Sequence, residues 1–189
     1  MKILGIAGSC RKDGNTDILL KKCLEGAMSC GASVETIFVR DLKILPCREC
    51  HSCSKTGKCV LQDDMQKIYP KFAEADCIIV SSPIFFYNLP SNLKALIDRC
   101  QCMWARKYVL KRPLLPQKER KGVFISAGGT KGEKLFDCAK LAVKYFFDAI
   151  DVAYHKDLFI RSIDEKGAIN SHPDKLEEAS SLGKHLTTL

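Results

Sequence analysis

The chain has 189 residues, 46% of them apolar and 28% charged, with a formal net charge of +8. Those proportions suit one compact domain over residues 1–189, and no apolar run is long enough to span a membrane. The charge would attract anionic partners, but no nucleic-acid reader motif or aromatic-basic interleaving accompanies it, which argues against nucleic acid.

The opening "MKILGIAGSC" is apolar only briefly and breaks at glycines, so it reads as a buried strand and not a secretory signal. A reducing cytoplasm is the expected location, with the 11 cysteines kept as thiols or metal ligands. A strand over 2–8 is followed by a turn and a helix from about Thr16 to Ser29. A second strand, "SVETIFV" (33–39), leads into a long cysteine-rich loop at 45–62. Asp63 or Asp64 can cap a helix reaching about Ala75. "DCIIVSSP" (76–83) reads as the third strand. "SNLKALIDRCQCMW" (91–104) reads as an amphipathic helix with Ser91 as its cap and Leu93, Leu96, Ile97 and Cys100 on one face. The basic stretch 106–121 reads as a solvated surface, with docking of an acidic protein or anionic cofactor as the alternative. "GVFISAGG" (122–129) is a fourth strand, 134–150 a long helix, 152–160 a fifth strand and 172–186 the closing helix.

Five strands alternating with helices imply an α/β fold, a doubly wound five-stranded parallel sheet with helices on both faces. Such sheets bind ligands at the carboxyl ends of their strands. The loops 8–16, 40–62, 82–91 and 127–133 therefore deserve the closest reading.

In "GSCRKDGNT" (8–16), Ser9 and Thr16 offer hydroxyls, Asn15 an amide and Arg11 a guanidinium, at the start of a helix whose free N–H groups favour an anion. An ordinary strand-to-helix turn is the alternative. The glycine spacing fails the dinucleotide fingerprint, Asn15 follows Gly14 where a P-loop needs Lys, and Arg11 sits too close to Cys10 for a cysteine phosphatase. A single phosphate, as on a mononucleotide cofactor, remains. In "SSPIFFYNLPSNLKALIDR" (81–99), Pro83, Ile84, Phe85, Phe86 and Tyr87 offer a wall for a planar ring, or pack inward or into a dimer. Gly128 and Gly129 in "SAGGTKG" allow the main chain to approach a second ring edge. Phosphate site, wall and glycine loop together describe FMN.

These segments, with the cysteine run ending in "GKCVLQDDM", resemble the flavodoxin-like NADPH-dependent FMN reductase family, and more narrowly its iron–sulfur flavoprotein branch. The resemblance covers roughly residues 1–130. It implies a flavodoxin-like sheet of order 2-1-3-4-5 with the cysteine-rich loop inserted after strand 2, bound FMN, and a homodimer or homotetramer. Carried over by position, Ser9, Arg11, Asn15 and Thr16 bind the phosphate. Pro83, Ile84, Phe85, Phe86 and Asn88 line the isoalloxazine, and Ser126, Gly128 and Gly129 border its pyrimidine side. Cys10, where the family commonly has proline, and Phe85, where it often has tyrosine, depart from the pattern.

Cys47, Cys50, Cys53 and Cys59 crowd four thiols into one short loop. Closely repeated C-x2-C-x2-C runs wrap iron–sulfur cubanes, whereas structural zinc usually draws on two separated knuckles. A 4Fe–4S cluster is the first reading; free cysteines in an FMN-only protein, zinc and a redox-sensing disulfide are the others. The remaining seven cysteines read as mostly small core residues. His51, His155, His172 and His185 are scattered, and no side chain is assigned a catalytic role; the cofactors carry the chemistry. The expected function is an FMN-containing oxidoreductase whose cluster exchanges electrons with the flavin, fed by NAD(P)H or ferredoxin and serving a small-molecule or protein acceptor such as a quinone. An NAD(P)H-dependent FMN or quinone reductase without a cluster, and a non-catalytic redox sensor, are the rivals.

Overall fold

A computed structural model describes residues 1–115 and 119–187. Pro116, Gln117 and Lys118 of the basic stretch lie outside the described residues, as do Thr188 and Leu189. Five strands, β1 (Lys2–Ala7), β2 (Ser33–Phe38), β3 (Cys77–Pro83), β4 (Lys121–Gly128) and β5 (Ala153–Arg161), form an all-parallel sheet of order β2-β1-β3-β4-β5. The expected order is therefore the observed one. Register runs from Lys2 opposite Ser33 to Ala7 opposite Phe38, and from Cys77 opposite Lys121 to Pro83 opposite Ala127. His155 is an extra residue between the partners of Gly122 and Val123, a local bulge near the start of β5.

Central strands buried on both faces need apolar side chains at every position, and β3 supplies them with Cys77, Ile78, Ile79 and Val80. Alternate residues feed two cores. Leu4, Ile6, Ile78, Val80 and Phe124 face α3 (Met65–Glu74), α4 (Ser91–Arg99), α5 (Gln101–Trp104) and α6 (Asp137–Ala149). Ile3, Ala7, Ile79, Val123 and Ile125 face α1 (Asn15–Ser29) and α7 (Pro173–Thr187). Each fully buried Leu, Ile or Phe contributes roughly 1.5–3 kcal/mol. α1 and α7 cross closely: a Cβ on Gly183 would sit 1.8 Å from the Cys23 carbonyl oxygen, so only glycine permits the crossing.

The short helix α2 (Ser52–Thr56) interrupts the expected cysteine loop. The expected helix 91–104 is split, because the Arg99 carbonyl accepts Tyr69 Oη at 2.9 Å and the Cys102 thiol at 3.5 Å. A π-helical turn over Ala105–Val109 follows α5. Ser91 does not cap α4; Pro90 holds that position, and Asn92 Oδ1 accepts the Leu93 N–H at 2.8 Å in the first turn. Asp63, by contrast, accepts the Met65 N–H at 3.1 Å at the start of α3.

The basic stretch is not uniformly solvated. Lys107 pairs with Asp148 at 3.0 Å and Asp151 at 3.2 Å. Arg120 is buried and donates to the carbonyls of Phe72, Ala75 and Ile150, tying the amino-terminal edge of the sheet together. No helix among the described residues is long and apolar enough to cross a membrane.

Candidate functional site

A cavity of 310 Å³ opens at the carboxyl ends of β1, β3, β4 and β5. Its floor is the 8–16 turn. The Gly8 N–H donates to the Ser81 carbonyl at 2.7 Å, which locks the turn to β3, and Ser81 Oγ holds the Thr16 carbonyl at 2.7 Å. The Arg11 N–H donates to Ser9 Oγ at 3.1 Å. The first helical bond of α1 runs from the Ile18 N–H to the Gly14 carbonyl at 3.0 Å, so earlier N–H groups remain available at the positive end of the helix dipole. Ser9, Cys10, Arg11, Gly14, Asn15 and Thr16 line this side. Pro83, Ile84 and Phe85 form the opposite wall, with Ala127, Gly128 and Gly129 along a third edge.

Two side chains read as phosphate ligands are engaged elsewhere. Arg11 Nη1 donates to the Asp164 carbonyl at 3.2 Å. Asn15 is used at both ends: Nδ2 donates to the Glu165 carbonyl at 2.9 Å and Oδ1 accepts the Ile169 N–H at 3.2 Å. They fasten the floor to the loop after β5, which contributes Ile163 and Asp164 to the lining. The sequence reading passes over that loop, although it lies at the same sheet edge as the others and the same rule points to it. Below the floor, Arg40 Nη1 bonds Asp17 Oδ2 at 2.8 Å, and that oxygen also accepts the Asp13 N–H at 3.1 Å. Burial raises the Asp17 carboxyl above its usual range, against the opposing pull of Arg40.

Phe86, Asn88 and Ser126 lie outside the cavity lining. Ser126 is fully buried, its Oγ donating to the Ser82 carbonyl at 2.7 Å. Phe85 and Asn88 exchange backbone bonds at 2.8 and 2.9 Å around a tight turn. Both central residues of that turn, Phe86 (φ 48°) and Tyr87 (φ 62°), are left-handed. Turns of this kind favour Asn-Gly, so two aromatics there store strain. Phe86 is completely exposed, at 102%.

A second cavity, of 580 Å³, is lined by Cys47, Cys50, Cys53 and Cys59 together. Left-handed residues on either side of Cys50, Glu49 (φ 52°) and His51 (φ 56°), bend the loop, and such bends turn backbone N–H groups toward anionic sulfur. The Ser52 N–H and hydroxyl lower the Cys50 thiol below its usual value. Burial raises Cys53, reinforced by charge on Cys47, Cys50 and Cys59. The four thiols thus share one cavity. Among the described residues, however, no group of three or more His, Cys, Asp or Glu side chains is drawn together for a metal ion.

The loop is held at its base by Arg99, whose side chain is fully buried. Its guanidinium grips Asp63 through both nitrogens and donates to the Leu45 carbonyl at 2.9 Å and the Leu61 carbonyl at 3.4 Å. Burial works against the charge on Asp63, yet hydrogen bonds from Arg99 and from the Leu45 and Met65 N–H groups prevail and hold its carboxyl below the ordinary value. Cys100 and Cys102 are buried and also line this cavity. Of the seven cysteines outside the run, Cys23, Cys77, Cys100 and Cys102 are core residues, while Cys10, Cys30 and Cys138 are exposed.

The family model described as NADPH-dependent FMN reductase matches residues 1–152. An iron–sulfur flavoprotein of Methanosarcina thermophila is 37% identical over 131 residues, covering 69% of this chain and 65% of that protein. Another from Methanocaldococcus jannaschii is 40% identical over 99 residues, 52% of this chain and 51% of that one. The matched stretch thus spans about half to two thirds of these curated relatives. Among solved structures, an NAD(P)H:quinone oxidoreductase from Methanothermobacter marburgensis superposes with a TM-score of 0.70 over 98% of each chain at 14% identity, a likeness of fold. With the matched region running through the 8–16 turn, the cysteine loop and β4, the chain belongs to the NADPH-dependent FMN reductase family.

Proposed function

We propose that the protein is a flavin-dependent oxidoreductase that binds FMN at the carboxyl edge of the sheet and carries a 4Fe–4S cluster on Cys47, Cys50, Cys53 and Cys59. The observation that carries this reading is the presence of two separate cavities, one with an anion-ready helix start and glycine edge, the other lined by all four thiols of the run. The names of the relatives, iron–sulfur flavoproteins, support the second half.

The FMN phosphate would rest on the Ser9–Thr16 turn, with Ser9 and Thr16 and the first N–H groups of α1 as donors. Arg11 and Asn15 would serve it by fastening the turn, with Arg11 free to exchange its carbonyl partner for phosphate. Pro83, Ile84, Phe85, Phe86 and Asn88 would flank the ring, and Ser126, Gly128 and Gly129 its pyrimidine side. Ser126 would act from beneath through β4. FMN supplies both one- and two-electron chemistry, so it can join a hydride donor such as NAD(P)H to a one-electron carrier such as ferredoxin or to a quinone. The thiols fit a cluster by donor chemistry: four sulfurs in one cavity with left-handed turns and a buried cation beside them.

The chain would work as one domain, 1–189, in the cytoplasm as a homodimer or homotetramer; the bare Phe86 side chain supports a partner covering that turn. Stopped-flow mixing tests the electron route. The cluster reading predicts flavin reduction that slows when Cys47 or Cys53 is changed to Ser and ferredoxin is the donor. A second reading, a cluster-free NAD(P)H-dependent FMN or quinone reductase, is favoured by the absence of a gathered metal-binding group among the described residues. It predicts rapid reduction by NAD(P)H that ignores those substitutions.

A further inference from the structure

Arg99 sits one helical turn beyond Leu96 on α4, among residues whose spacing marks a core-facing stripe. A charged side chain that is fully buried there requires explanation. Asp63 neutralises it, but Arg99 and not Asp63 is among the residues that line the cysteine cavity. Four of its five N–H donors lie on the two nitrogens that hold Asp63, Leu45 and Leu61. The fifth, on Nε, is buried without a partner.

We propose that Arg99 is the positioning residue of the cysteine cavity: it clamps both ends of the loop through Leu45, Leu61 and Asp63, and it sets a fixed positive charge at the cavity's wall. This rests on the cluster reading above. Leu45 and Leu61 flank the run two residues outside Cys47 and Cys59, so a single planar fork sets the width of the loop's mouth. Lysine has the charge but not the fork. Each electron added to a thiolate-bound cluster increases its negative charge, and a nearby buried cation eases that addition.

The test compares Arg99→Gln and Arg99→Lys with the wild-type holoprotein, all purified anaerobically. Arg99→Gln should move the cluster's reduction midpoint to more negative potential and speed iron removal by a chelator roughly tenfold or more, the worth of a lost charge-assisted hydrogen bond. Arg99→Lys should keep its midpoint nearer the wild type yet still release iron faster. A wild-type midpoint in Arg99→Gln overturns the charge role, and wild-type iron retention in Arg99→Lys overturns the clamp. Wild-type protein without iron after reconstitution defeats the cluster reading instead. The clamp is then read in the flavin-loaded, iron-free protein by trypsin, which can cut after Arg48, Lys55 and Lys58. Faster loop cleavage in both variants supports the clamp and an unchanged rate overturns it.

Discussion

The flavin cavity and the cysteine cavity are built on opposite plans. The first follows from topology: four parallel strands end together, and their turns are locked by backbone bonds such as Gly8 to Ser81 at 2.7 Å. Its walls would persist through most single substitutions. The second is an irregular loop whose only regular element is the five-residue α2, gathered by the buried Arg99–Asp63 pair with Gln66 Nε2 holding the Cys59 and Leu61 carbonyls. A cavity made by strands is finished before its ligand arrives. One made by a loop and a clamp depends on the clamp, and the proposed cluster would bring its sulfurs to their final spacing.

The largest effect should come from the clamp. Asp63→Ala leaves a buried guanidinium without its counter-charge, so the protein should lose about 3–5 kcal/mol of stability in urea titrations. A loss under about 1 kcal/mol would mean the loop is held by other contacts. The aromatic turn beside the flavin cavity should behave in the opposite sense. Replacing Phe86 with Asn and Tyr87 with Gly relieves two left-handed aromatics and should stabilise the apoprotein by about 1–2 kcal/mol, while weakening FMN binding measured by fluorescence quenching. Stabilisation with unchanged affinity would remove the turn from the flavin's wall.

A more modest change is expected at the glycine edge. A Cβ on Gly129 would lie 3.0 Å from Asp164 Cβ, so Gly129→Val narrows the cavity and should weaken FMN roughly tenfold, about 1.4 kcal/mol. The cysteine loop should not register it.

The smallest effects are in pH dependence, and their signs differ between the cavities. Asp63, held below its ordinary 3.8 when folded, lends stability above 3.8 that is lost as pH falls through its lower folded value. Asp17, raised above 3.8, gives stability that is greatest in acid and fades as pH climbs from 3.8 through its raised value. Thermal melts between about pH 3 and about pH 7 should therefore show a shallower acid loss in Asp63→Asn and, in Asp17→Asn, a smaller decline on the side above 3.8. Identical slopes in both variants would contradict the assignment.

How much of this could be read in the sequence follows the same division. The strands announced themselves by apolar runs and the turn at 8–16 by its own residues, while the sheet order came from the family resemblance. Cys47 to Cys59 stood out by spacing alone. Arg99 did not, because an arginine on an amphipathic helix reads as solvated and its partner Asp63 is 36 residues away and passes for a helix cap. Asn15 read as a phosphate ligand because its type and position suit one; that both its polar ends reach across to residues 165 and 169 is visible only in three dimensions. The π-helical turn that draws Lys107 to Asp148 and Asp151 likewise left no periodic trace.

The most direct test is a count of flavin, iron and acid-labile sulfide in protein purified anaerobically and reconstituted, alongside its absorption spectrum. One FMN with four iron and four sulfide per chain, the iron falling away when any of Cys47, Cys50, Cys53 or Cys59 becomes Ser, is the predicted result. Folded, colourless protein that takes up neither flavin nor iron would contradict it.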